Sequence, residues 1–200
     1  MIVLQGSLFA AGSEIGPREV GEPERIELEG DAWLDLVPGW MRGADSLFEL
    51  LLGSVPWREE RRPMYDRMVD DPRLSHRYAA GDPLPHRSLG SFRDTLTARY
   101  GAPFAAVGLN YYRDGRDSVA SHADRELREL DDTLVAVLTL GARRPFLIRP
   151  KGRGRSRDFS PATGDLLVMG GACQRDWEHG VPKIAHAGPR VSVTWRARAS

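Results

Sequence analysis

The sequence predicts a mainly β domain with flanking helices, an α+β fold whose core is a double-sheet β roll. Three observations carry this. From Phe104 onward, about seven short apolar or alternating segments are separated by turn signals such as Asp114-Gly115. Two stretches with apolar residues at helical spacing, 44–52 and 89–100, come before them. The chain has 200 residues, 41% of them hydrophobic, with five tryptophans, which suits one well-filled domain.

Taken in order, residues 1–32 are rich in glycine, glutamate and proline, with strand-like pieces at 2–4 and 25–28. They are expected to wrap the domain rather than build its core. Residues 31–39 read as a strand running into the Pro38-Gly39 turn. The 44–52 helix has its stop signal at Gly53. Residues 57–67 are charged and read as an exposed strand or loop. Residues 70–85 hold Pro72, Gly81, Pro83 and Pro85 and read as a lid or binding loop with little regular structure. The 89–100 helix puts Phe92, Leu96 and Tyr100 on one face and closes at Gly101. Residues 1–60 are thus expected as an N-terminal extension packed on a principal domain of residues 61–200, the whole forming one unit.

Strands follow at 106–112, 118–124, 133–140, 146–148, 164–169, 179–182 and 190–196. The 133–140 segment is almost entirely apolar, as a strand buried on both faces would be. The last strand alternates. Arg190, Ser192, Thr194 and Arg196 share one face, and Val191, Val193 and Trp195 share the other. If the polar face meets solvent, the strand is simply amphipathic. If it lies inside the roll, two guanidiniums need a dianionic ligand, because a buried unpaired charge is very costly. Arginine grips carboxylates in a bidentate fork, so that ligand would be a dicarboxylate.

Composition narrows the function classes. No apolar run approaches the roughly 20 residues of a membrane span, and residues 1–6 lack the basic start of a secretory leader. The single cysteine, Cys173, leaves no internal disulfide and fits a reducing, cytoplasmic compartment. No membrane partner is expected, and a monomer is the default. The formal net charge is zero, yet residues 1–100 carry −5 and residues 101–200 carry +5. The densest basic run is Arg149, Lys151, Arg153, Arg155 and Arg157, broken by glycines. It reads equally as a phosphate-gripping loop or as a solvated hairpin tip.

The chemistry centres on His122-Ala123-Asp124 and, on a later strand, Trp177-Glu178-His179. A histidine and an aspartate two apart on a strand point to the same side. Two histidines and one carboxylate occupy one face of an octahedral ion and leave the opposite positions open, as in non-haem Fe(II) oxygenases. The H-x-D pattern alone arises often by chance. Asn110 and Tyr112, two apart on another strand, read by themselves as ordinary turn and core residues. Trp177 and Met169 read as packing, His76, His86 and His186 as surface residues, and Gly141, Gly170 and Gly171 as turn glycines.

Four blocks in order resemble the AlkB-type 2-oxoglutarate- and Fe(II)-dependent dioxygenases, which repair alkylated nucleobases. They are Pro72-Arg73-Leu74 with Tyr78; residues 110–119 leading into His122 and Asp124; residues 138–146; and residues 164–169 with 176–182 and 189–196. The family fold is a double-stranded β-helix, a jelly-roll variant. The resemblance implies Fe(II) bound by His122, Asp124 and His179, with 2-oxoglutarate as co-substrate and O2 as oxidant. It further implies that Asn110 and Tyr112 hydrogen-bond 2-oxoglutarate and that Arg190 pairs with its distal carboxylate. Arg196 then sits near the metal-bound carboxylate, with Thr194 between the two arginines. Ser192 stands where the family usually has asparagine.

For the substrate, the resemblance implies a nucleotide-recognition lid near residues 61–87. Tyr78, with Tyr65 behind it, is the candidate platform for a flipped base. Some relatives place an acidic residue directly after the metal aspartate to read the base edge. Here Arg125 follows, and Glu126 is the candidate for that part. The implied reaction is oxidative demethylation of alkylated DNA or RNA, releasing formaldehyde, succinate and CO2. Two alternatives are an oxygenase of the same fold acting on a protein side chain or small molecule, and a non-catalytic β-roll binding module.

Overall fold

The structure, a computed structural model, describes residues 14–64, 67–152 and 154–198. Its elements in chain order are β1 (Gly16–Pro17), β2 (Glu24–Glu27), β3 (Ala32–Val37), β4 (Met41–Arg42), α1 (Ala44–Ser54), β5 (Arg58–Met64), β6 (Arg67–Tyr78) and α2 (Ser88–Tyr100). Then come β7 (Val107–Tyr112), β8 (Val119–His122), β9 (Thr133–Gly141), β10 (Leu147–Pro150), β11 (Arg157–Asp158), β12 (Leu166–Gly171), α3 (Cys173–Asp176), β13 (Trp177–Val181) and β14 (Arg190–Arg198). The expected pieces at 2–4, Tyr65 and Arg153 fall outside the described residues.

Two antiparallel sheets form a jelly roll, and β1 and β4 pair separately as a two-stranded sheet. The main sheet runs β2-β3-β12-β9-β14-β7-β6-β5, and the smaller one β11-β10-β13-β8. One apolar cluster fills the space between them, drawing Tyr112, Val135 and Val137 from the main sheet and Ile148 and Val181 from the smaller one. A second cluster lies on the other side of the main sheet. There Leu47 and Leu51 of α1 and Leu89 and Phe92 of α2 join Leu138, Val193 and Trp195. Strand β9 divides between these layers, so its residues from Thr133 to Leu140 are all buried.

Several local features depart from expectation for definite reasons. Helix α1 runs through Gly53 to Ser54, and Pro56 ends it by forcing Val55 into an extended conformation (φ −82°, ψ 130°). The stretch expected as an irregular lid is largely strand, since β6 reaches Tyr78. Pro72 is tolerated because the β5–β6 pairing shifts register between Glu59 and Arg61, opposite it. The Pro72 carbonyl is used elsewhere, accepting from the Ser118 amide at 2.6 Å.

Residues before 60 do more than pack on the sheet. Strand β3 pairs along the whole of β12, and Leu34 is fully buried. Beside it, Asp35 is buried and takes both arms of Arg25 at 2.7 and 2.8 Å, while the Tyr100 hydroxyl donates to it at 3.1 Å. Burial and the adjacent Asp35 charge push the Tyr100 hydroxyl well above its usual range. Gly170 is a strand residue rather than a turn residue. It faces Trp33 across the pairing, and a Cβ there would sit 2.0 Å from the indole ring.

Candidate metal and co-substrate site

His122 and His179 lie directly opposite each other where β8 pairs with β13. Asp124 follows just past the end of β8. The ligand atoms of the three side chains lie within 4.8 Å of one another. His122 Nε2 is 3.7 Å from Asp124 Oδ1, and the two imidazole centroids are 4.4 Å apart.

Neighbouring groups fix each ligand in the form a metal needs. The His122 Nδ1–H donates to the Ala120 carbonyl at 2.9 Å, which leaves Nε2 with a free lone pair. His179 is buried against Phe146. Burial, with the nearby His122, holds its imidazole neutral, down to about 3. For Asp124, burial opposes ionisation, but the Arg196 guanidinium outweighs it and keeps the carboxyl below its usual value. That guanidinium donates to both Asp124 oxygens, at 2.6 and 3.2 Å. Two imidazoles and an oriented carboxylate make a donor set suited to a divalent iron.

The polar face of β14 turns inward. Arg190 is 0% exposed and Ser192 3%. Cross-strand pairing sets Ser192 opposite Asn110 and Arg190 opposite Tyr112, so all four share one face. Beside the metal ligands is a cavity of about 120 Å³ lined by Asn110, Tyr112, Ser192, Thr194, Arg196 and Arg73. Arg190 lies next to it, 6.0 Å from the Tyr112 ring centroid. Among the described residues its hydrogen bonds are long ones, to Thr139 at 3.2 Å and to the Arg144 carbonyl at 3.5 Å. Arg190 Nε and Ser192 Oγ are buried without a hydrogen-bond partner among the described residues. Burial, opposed by Tyr112 and reinforced by Arg144, pushes the Arg190 guanidinium down to about 10. Buried unmet donors beside a metal set fit a dicarboxylate that chelates the metal and reaches Arg190.

The model of the 2OG-Fe(II) oxygenase superfamily matches residues 41–196. The chain belongs to that superfamily. Within it the oxygenase is of AlkB type. It is 31% identical over 214 residues to the alpha-ketoglutarate-dependent dioxygenase alkB homolog 3 of Bos taurus, covering 90% of this chain and 75% of that one. It is 29% identical over 192 residues to the DNA oxidative demethylase ALKBH2 of Arabidopsis thaliana, covering 76% and 61%. The fold matches a prolyl hydroxylase from Trichoplax adhaerens, solved with a hypoxia inducible factor peptide, with a TM-score of 0.61, 11% identity and 83% of each chain covered. Membership implies Fe(II) as cofactor, with 2-oxoglutarate and O2 as co-substrates.

The remaining candidates are placed unevenly. Tyr78 pairs with Val107 and packs into the helix-side cluster, on the face of the main sheet away from the metal ligands. Strand alternation turned it there, so the structure does not bring it to the site. Arg125 is exposed, and exposed Glu126 comes within 3.8 Å of Arg196. Of the basic run, Arg149 is paired with Glu178 at 2.9 Å and Arg157 lies over Phe159.

Three supporting residues of the oxygenase carried no assigned role in the sequence. Arg73 donates to the Asn110 side-chain oxygen, Oδ1, at 2.9 Å and pairs with Asp71. Gln174 is fully buried and accepts the Asp124 amide at 2.9 Å, fixing the ligand's backbone. Buried Arg144 donates to the carbonyls of Asp114, Asp117 and Pro182, tying together the loops beside Arg190. Arg73 and Arg144 stood within the resemblance blocks. Gln174 had no signal, since one glutamine on a short helix looks like any other.

Proposed function

We propose that this protein demethylates alkylated nucleobases in DNA or RNA, with His122, Asp124 and His179 as the iron ligands. The similarity to alkB homolog 3 and to a DNA oxidative demethylase supports the substrate class. The observation that carries the co-substrate assignment is the buried, unmet polar face of β14 next to the three ligands.

When bound, Fe(II) with 2-oxoglutarate supplies the power to insert one oxygen atom of O2 into a C–H bond, the other leaving in succinate as CO2 is lost. An N-methyl group becomes N-hydroxymethyl, which breaks its C–N bond to give formaldehyde and the restored base. The chain's share is binding and orientation. Arg190 holds the distal carboxylate, and Asn110, Tyr112 and Ser192 hydrogen-bond the co-substrate. Arg73 orients Asn110, while Arg196 holds Asp124 in place as a ligand. Glu126, 3.8 Å from Arg196, is the acidic candidate for contact with the substrate. The buried single cysteine agrees with a reducing, cytoplasmic setting.

The test is to mix protein, Fe(II), 2-oxoglutarate and ascorbate with a panel of methylated oligonucleotides. Formaldehyde should appear together with succinate and be lost in His122→Ala. Succinate without formaldehyde on every base would shift the assignment to a protein or small-molecule substrate. Turnover unchanged in His122→Ala would refute the metal assignment.

A further inference from the structure

A second cleft of about 340 Å³ adjoins the site and is separated from it by Arg196. One side of the Arg196 guanidinium is spent on Asp124, and none of the three metal ligands lines the cleft. Its walls are mainly apolar, including Pro103, Ala105 and Leu127; Glu126, 3.8 Å from Arg196, lines it as well, and its rim carries Arg77 and Arg198. Both arginines are exposed, and neither makes a hydrogen bond or ion pair among the described residues.

The placement of Arg77 follows from register. It pairs with Gly108, which pairs in turn with Thr194, so Arg77 stands on the same face of the main sheet as the co-substrate residues. Its neighbour Tyr78 takes the opposite face. A glycine between Arg77 and Thr194 leaves that row open, with no side chain to screen the guanidinium from the cleft.

An apolar slot rimmed by two unmatched cations suits a ligand with a flat apolar body and an anionic edge. We propose that this cleft is a subsite for the nucleotide next to the one being oxidised, its base against the apolar wall and its phosphate held by Arg77 and Arg198. Arg196 excludes the reacting base itself, because it stands between the cleft and the metal ligands. The subsite rests on the nucleobase reading above and deepens it.

The test is binding rather than turnover. Full-length protein, without added metal, is titrated with fluorescein-labelled, unmodified single-stranded DNA over a series of salt concentrations, following anisotropy. The Arg77→Ala/Arg198→Ala double variant should bind about tenfold more weakly at low salt. Its plot of log affinity against log salt should flatten by about 0.7 per lost phosphate contact. The Arg77→Lys/Arg198→Lys variant should recover most of both, which excludes a folding defect. The double alanine variant should also keep wild-type 2-oxoglutarate affinity. Equal affinity and equal slope in wild type and the alanine variant would overturn the subsite, even with formaldehyde released normally by wild type. If wild type releases no formaldehyde from any methylated oligonucleotide, the functional reading fails instead and takes the subsite with it.

Discussion

The two faces of strand β14 are buried to nearly the same depth but are finished differently. Val191, Val193 and Trp195 are each 0% exposed and pack against the helices. Their one unmet polar atom is the Trp195 indole nitrogen. On the other face Arg190 and Ser192 are equally hidden yet lack adequate partners among the described residues. A buried face that is apolar apart from one indole N–H serves stability. A buried face that carries a guanidinium and a hydroxyl without adequate partners serves a ligand, because leaving a charge and its donors unmet costs folding energy. The same nine residues therefore hold a structural wall and a binding wall, one residue apart.

Substitutions on the two faces should separate stability from binding. The largest effect is expected from Trp195→Ala, which should destabilise the protein by about 3–5 kcal/mol through the cavity it leaves. The fraction that remains folded should bind 2-oxoglutarate normally, as measured by denaturant unfolding and ligand titration. Arg190→Met should behave oppositely. The unliganded protein should be as stable as wild type or more so, since a buried cation without an acid partner is removed. Its 2-oxoglutarate affinity should fall by about 100-fold or more, within the roughly 2–5 kcal/mol of a lost buried charge contact.

Gly108→Ala should fall between these. Its Cβ would lie 2.6 Å from Thr194 Oγ1 and 3.3 Å from an Arg196 guanidinium nitrogen. Overpacking of this kind costs about 1–3 kcal/mol, and here both stability and co-substrate affinity should drop, because the clash is on the binding wall. The smallest effect lies away from β14, at Tyr100. Its hydroxyl titrates above its usual value of about 10 in the folded state, so the fold favours the protonated phenol. That contribution is complete below pH ~10 and is lost as pH rises toward the folded value. Tyr100→Phe should lose about 1 kcal/mol at neutral pH and show a shallower alkaline decline in thermal stability.

The contrast also marks what the sequence could reveal. Alternation along residues 190–196 was plain, and so were the double-faced burial of β9 and the histidine–aspartate pair. Each depends on local periodicity, which a sequence displays directly. Which side of β14 faced inward was open until β7 and β9 were seen flanking it. The span of β6 was hidden by Pro72, whose tolerance depends on a register shift in its partner strand. That strand then decided between Tyr78 and Arg77, since a single step of register exchanges the faces. Gln174 and Gly108 matter only through residues far away in sequence, Asp124 and Thr194, so nothing local could single them out.

The most direct test of the binding wall is calorimetric titration of 2-oxoglutarate into protein loaded with Mn(II) in place of iron, comparing wild type, Arg190→Met and Trp195→Phe. Wild type and Trp195→Phe should bind one equivalent with similar affinity, and Arg190→Met should show a loss of about 100-fold. Equal affinity in all three would contradict the assignment of the inward face of β14 to a dicarboxylate.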